Sequence, residues 1–188
     1  VLTVHAIALD DFGAEFGRCL ADRFAVEVMS GDDAWAGSAA WPPARLRVVA
    51  GAHEALGLLE LVDELSFGWR QAWLPVTRFA PGLRVGPLVV PGRSACFGCF
   101  RRLPPGPEEP QSGPSPLDST VAAARAAVLA VPAVEAALTG NRLGQEAGWL
   151  RRDAPDGRAT LLGPTTGVPG CPRCRPTAYQ GQSPGAQL

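Results

Sequence analysis

The chain contains no lysine: all 17 of its basic residues are arginine, set against 18 acidic residues for a net charge of −1. That balance leaves no basic footprint for nucleic acid or for an anionic membrane surface. No run approaches the roughly 20 apolar positions needed to cross a bilayer, and the first residues lack the charged-then-apolar order of a secretion signal. The expectation is a cytoplasmic protein without a membrane or nucleic-acid partner. Internal repeats are absent too. What remains is 188 residues with 46% apolar content and 41 glycines and prolines, enough for one domain with a real core, alone or with a small appendage.

Four of the five cysteines fall in two Cys-x-x-Cys pairs, Cys96 with Cys99 and Cys171 with Cys174, separated by 71 residues. Each tight turn lets two thiolates reach one ion, and four sulfur ligands suit tetrahedral zinc. With every position filled no site stays open for water, so the metal is expected to be structural. Gly98 and Pro172 favour the turns, and Arg93, Arg101, Arg102, Arg173 and Arg175 can offset the doubly negative centre. Two disulfides or a redox pair are the rival readings. A two-residue gap strains a disulfide, and nothing nearby resembles a thioredoxin motif.

The first half alternates between strand and helix. Residues 3–9, 26–29 and 46–50 read as strands, and 13–24 and 53–67 as helices with apolar positions at helical spacing. This is the rhythm of a doubly wound α/β sheet. Residues 30–43, rich in Gly, Ala and Pro, read as a loop, with Trp35 and Trp41 expected to pack rather than to be presented. Residues 72–79 and 83–90 read as strands around a turn at Pro81-Gly82 and lead into the first cysteine pair. A proline-rich linker precedes a helix over 120–138, capped by Ser119 or Thr120 and kinked at Pro132. Residues 149–152 and 158–162 flank a hairpin turn at 154–157. The expected division is 1–102 for the α/β half with the first knuckle, 103–118 for the linker, 119–175 for helix, hairpin and second knuckle, and 176–188 for a tail.

A strand ending in Pro91-Gly92, then Arg93-Ser94-Ala95-Cys96-Phe97-Gly98-Cys99, with Pro169-Gly170-Cys171-Pro172-Arg173-Cys174 after a helix and a hairpin, resembles the E1-like, or ThiF-like, superfamily of adenylating proteins. The resemblance spans about residues 1–175. It is nearest to the branch of thiazole/oxazole-modified peptide (bacteriocin) biosynthesis, whose members serve as cyclodehydratase or leader-peptide-binding components beside a YcaO enzyme. It implies a Rossmann-like α/β domain of E1/ThiF type with a four-cysteine structural zinc unit. It also implies a precursor peptide and a YcaO-type enzyme as partners. In that branch a small winged-helix segment precedes the E1-like part and recognises the leader. The chain given starts at the first Rossmann strand, so that segment is expected to be missing, truncated or supplied by another protein.

The first half departs from working E1 chemistry. An adenylating domain needs a glycine-rich turn after its first strand so that backbone N–H groups reach the phosphates. Here the turn reads Asp10-Asp11-Phe12-Gly13-Ala14-Glu15-Phe16-Gly17. Gly13 and Gly17 can keep the turn and the helix packing, whereas Asp10, Asp11 and Glu15 repel a triphosphate. The resemblance also implies a Mg²⁺-binding aspartate where Ala50, Gly51 and Ala52 stand, and lysine on the phosphates, which this chain lacks. No catalytic and no nucleotide-binding residues are therefore expected.

Other candidates are weaker. Cys19 lies in the first helix and reads as structural, not as a thioester nucleophile. His5 and His53 have no Ser or Cys partner at informative spacing, and Asp32 and Asp33 read as a solvated loop rather than a ribose site. The resulting expectation is a non-catalytic accessory subunit in the making of ribosomal modified peptides, docking the precursor or a YcaO-type enzyme. Its alternatives are an ATP-dependent adenylating enzyme acting on a carboxylate and a zinc-stabilised homodimerisation module. Trp69 and Trp73, at helical i,i+4 spacing, are the expected interface cluster, with burial beneath the zinc unit as the competing reading.

Overall fold

The computed structural model describes residues 3–79, 82–103, 118–153 and 158–174. Pro81 of the expected turn, most of the linker, the 154–157 hairpin turn, Arg175 and the tail lie outside the described residues.

The expected strands and helices form, except that the strand expected over 83–90 is cut to three residues, Leu83–Val85, with a lone bridge at Val89. Strand β1 (Val4–Ala8) is wholly buried, and helix α1 (Asp11–Ala21) lays Phe12, Phe16 and Leu20 onto the sheet. Gly13 is there for closeness. A methyl at Gly13 would stand 2.2 Å from the Ala50 carbonyl oxygen, so the helix and the strand that carries Ala50 touch backbone to backbone only because the side chain is absent. Strand β2 (Val26–Ser30), strand β3 (Leu46–Gly51), helix α3 (Leu56–Trp69) and strand β4 (Ala72–Arg78) complete a parallel four-strand unit in the order β2-β1-β3-β4. Strands β5 (Leu83–Val85), β6 (Leu150–Asp153) and β7 (Ala159–Leu162) continue the same sheet antiparallel, giving seven strands. Thus the 119–174 region is built onto the sheet that the first half starts.

Three expectations need correction. Residues 30–43 are not a plain loop, because helix α2 (Gly31–Ala36) and a 3-10 turn (Ser38–Ala40) form there. Ser30 starts the helix: its hydroxyl accepts from the Asp33 N–H at 3.1 Å and donates to the Asp33 carboxylate at 2.7 Å, a cap that gives Asp33 its place, while Asp32 adds a second acid to the first turn. Helix α5 (Ser119–Thr139) is capped by Asp118, whose carboxylate accepts from the N–H groups of Thr120 and Val121, and it runs through Pro132 without a break. Third, α5 is long and apolar enough to cross a membrane by length and composition. Its Ala122, Ala126, Ala130, Ala133 and Val134 side are nevertheless buried against α1 and the sheet. Short helices α4 (Phe97–Phe100) and α6 (Leu143–Glu146) are additions.

The sheet divides two cores. One, under α1 and α5, is rich in Val, Leu and Ala; the other, under α2 and α3, gathers Ile7, Trp41, Val49, Leu58, Val62, Trp73 and Phe97. At the edge of the second, Arg47 is buried against neutral partners. Its Nε donates to His5 Nδ1 at 2.9 Å, its Nη groups to Gln71 and the Pro42 carbonyl, and it stacks on Trp41 and Trp69. Burial, then the Arg47 charge, pulls the His5 pKa down to about 4. His5 is thus neutral when folded and protonates more readily when unfolded, near 6.5. The stability this neutral histidine carries is complete above pH 6.5 and drains away as pH falls toward 4, by about 3 kcal/mol in all. Urea midpoints between pH 7 and 4 should fall in wild type and fall less in His5→Gln.

Candidate functional site

The two knuckles converge although 71 residues separate them. The four sulfurs of Cys96, Cys99, Cys171 and Cys174 lie within 4.8 Å of one another, with Cys96 to Cys171 and Cys99 to Cys174 each at 3.6 Å. A disulfide needs about 2.05 Å, so these are not disulfides, whereas the edge of a tetrahedron with metal–sulfur bonds of about 2.3 Å is about 3.8 Å. The donor set therefore fits a tetrahedral thiolate-bound metal ion. Cys96, Cys99 and Cys171 are buried beside Ala95, with Phe67 and Val168 closing the sides.

Local structure aims each thiol. Cys96 stands just before the single turn of α4, which swings Cys99 back to the same side, and the Cys99 N–H bonds the Cys96 carbonyl. Val168 N–H donates to Cys99 Sγ at 3.2 Å, a bond that favours thiolate. Burial pushes the Cys96 thiol up, and burial foremost pushes Cys174 up to about 11. Burial also acts on Cys171, but N–H groups of Cys174 and Arg173 and the neighbouring thiols bring it down to about 6.

Asp63, on α3, is the residue that sequence reasoning missed. Its fully buried carboxylate accepts from Trp73 Nε1 at 3.1 Å, from the Phe97 N–H inside the first knuckle at 3.1 Å, and from Arg173 inside the second at 2.7 Å. One side chain thus joins α3, β4 and both knuckles. An acid on the apolar side of a helix, next to Val62 and four positions after Leu59, was the available signal. Of the arginines expected to balance the thiolates, Arg173 and Arg101 are engaged with carboxylates of α3, Asp63 and Glu60 respectively.

The crevice outside β1 and β3, where a doubly wound sheet takes its ligand, is bridged by the Asp10 carboxylate. Asp10 caps α1: one carboxylate oxygen accepts from the Gly13 N–H at 3.0 Å, the other from the Ala52 N–H at 2.6 Å across the crevice. His53, which is exposed, adds its Nδ1 at 3.5 Å. The N–H groups that would greet a phosphate at this helix end are turned to a resident anion. Glu15 is held away by Arg18.

The remaining candidates separate. Cys19 packs part-buried against the first core with its thiol pushed up by burial and by Glu15, which is a structural cysteine's setting. His5 is buried in β1 under Arg47, whereas His53 is exposed beyond the end of β3 beside Asp10, so the two do not share a site. Trp69 and Trp73 are not one helical cluster: Trp69 ends α3, half-exposed and edge-on to Trp41, whereas Trp73 lies in β4, fully buried against Phe97 beneath the thiol cluster. Trp41 packs as expected, but Trp35 is 53% exposed.

No family model matches the chain, and no curated protein does. Solved structures do match it over nearly its whole length. A heterocyclase in complex with substrate and cofactor has a TM-score of 0.67 at 20% identity, covering 95% of this chain and 26% of its own. The heterocyclase TruD gives 0.62 at 20% identity, over 92% of this chain and 27% of its own, and E. coli MccB gives 0.63 at 15%, over 96% and 60%. The chain therefore shares the fold of these proteins. It spans about a quarter of the heterocyclases' length and three fifths of MccB's. MccB is also known in complex with N-formylated MccA and with AMPCPP.

Proposed function

We propose that this chain is a non-catalytic E1-like accessory subunit in ribosomal modified-peptide biosynthesis, docking the precursor peptide or a YcaO-type modifying enzyme around a structural zinc unit of four cysteine thiolates. The observation that carries the reading is the seat of Asp10. In the fold shared with MccB, a nucleotide binder, the helix end that would receive phosphate is here bonded to a carboxylate, and phosphate would have to displace it against like charge. The heterocyclase and MccB likenesses support the pathway, since TruD is a heterocyclase and MccB is found with MccA. Zinc is the ion of choice for four thiolates in a tetrahedron. Bound there, it crosslinks the knuckles and leaves no position for water, so Cys96, Cys99, Cys171 and Cys174 hold the fold rather than a substrate.

Calorimetry with Mg-ATP should show no binding, and reconstitution with the modifying enzyme and its precursor should show peptide modification stalling when this chain is left out. Micromolar Mg-ATP binding would instead favour the adenylating enzyme, and a partner enzyme working at full rate alone would end the accessory reading.

A further inference from the structure

Two tryptophans on the outer side of α2 and α3 stand half in water, Trp35 53% and Trp69 48% exposed. Neither is loose. Trp35 rests its ring edge on Gly57, where an added methyl would stand 3.0 Å from it. Trp69 is edge-on to Trp41, with the Arg47 guanidinium 5.4 Å from its ring centre. Positions 57, 61, 65 and 69 follow one another at four-residue steps along α3, a slanting ridge that runs from the seat of Trp35 past the partly buried Leu61 and Leu65 to Trp69. At 1.5 Å per residue the ridge is about 18 Å long. Side chains already held in one conformation lose little entropy on binding, and tryptophan is enriched among the anchors that dominate protein interfaces.

We propose that this ridge docks an amphipathic helix of the modifying enzyme, apolar along about three turns and basic beside them. The inference rests on the accessory-subunit reading and gives it a surface. The flank of a helix has no free backbone N–H or C=O, because its interior groups are bonded to one another. An extended peptide would give up water there and gain no backbone partner, whereas a helix satisfies its own backbone and lays its apolar face into the groove. A free precursor peptide would first have to fold, an ordering cost that so short a contact offsets poorly. A helix already standing in an enzyme avoids that cost. The rim selects the charge. Asp32, one turn before Trp35 on α2, is exposed and has no ion partner among the described residues. Glu60 and Glu64 flank the ridge with side chains 60% and 73% exposed, and their arginines, Arg101 and Arg173, stand at 3.4 and 3.7 Å. Arg70, just past Trp69, is exposed too, so the basic residues of the occupant belong toward the Trp35 end. A second copy of this chain would set acid against acid.

The probe is the purified YcaO-type enzyme. The full chain should bind it, and Trp35→Ala and Trp69→Ala should each raise the dissociation constant at least about tenfold. Asp32→Arg should raise it about threefold or more and flatten its dependence on salt. Trp35 and Asp32 are exposed, so the circular dichroism of these two variants should match wild type, and they carry the test if Trp69→Ala loosens the Arg47 stack. Leu161→Arg, on the exposed edge strand β7, should bind as wild type does. An enzyme that binds wild type, Trp35→Ala and Asp32→Arg equally overturns this surface and leaves the accessory reading standing. No binding to the wild-type chain overturns both. A synthetic precursor peptide, or a second copy of the chain, that Trp35→Ala releases while the enzyme stays bound overturns the choice of occupant.

Discussion

Removing the metal, or replacing Cys96 by Ser, is expected to unfold the knuckle region and leave the chain insoluble or metal-free. Structural zinc contributes on the order of 10 kcal/mol at neutral pH, comparable with the whole stability of a small domain. Little else could replace it. Among the described residues the neighbours of the thiol cluster are a few side chains, Ala95, Phe67 and Val168, and the second knuckle is held to α3 by one arginine. Acid should act in the same direction. Cys96 and Cys174 keep their protons strongly when no cation is near, so metal binding must expel protons and is undone as pH falls. Elemental analysis should find one zinc per chain in the wild type and in Cys19→Ser, whose thiol lies in α1 away from the cluster, and little in Cys96→Ser. Full zinc in Cys96→Ser would remove that residue from the ligand set.

Much of this was legible because two signals are local and strong. Short apolar runs and 3.6-residue patterns placed β1, α1, β3 and α3 within a few residues, and the paired Cys-x-x-Cys spacing marked the four thiols that converge. What escaped depends on partners distant in sequence. Asp10 looked like a repellent charge, and its repulsion is real, but the carboxylate is bonded to an N–H 42 residues away. Helix α2 is six residues long, too short to show a period, and is set by the Ser30 cap and by Trp41, whose indole donates to the Ala34 carbonyl at its end. Helix α5 hid its apolar character because it is rich in alanine and interrupted by Arg125, Pro132 and Glu135. Each interruption looks polar or breaking in a short window, although the helix as a whole is apolar.

Asp63→Ala is expected to be the most damaging substitution outside the cysteines. The wild-type carboxylate is fully buried with both oxygens engaged: two N–H groups on one and the Arg173 guanidinium on the other. Truncation strands the buried Trp73 and Phe97 N–H groups and leaves Arg173, whose side chain is 29% exposed, with the more distant Glu64 alone. Each stranded buried donor costs about 1–3 kcal/mol. The damage should reach the proposed metal site as well, since Phe97 lies between Cys96 and Cys99 and Arg173 between Cys171 and Cys174. Groups that orient metal ligands typically change affinity by about 10–100-fold when lost. Asp63→Asn separates the two effects. Its carbonyl can still accept from Trp73 and Phe97, but its amide turns a donor toward Arg173, so the first knuckle should hold its shape while the second loosens. Competition with a chromophoric chelator should therefore rank zinc retention as wild type, then Asp63→Asn, then Asp63→Ala, and urea midpoints should follow the same order. Equal zinc retention in all three would mean that Asp63 braces only the Trp73 core and that the knuckles align without it.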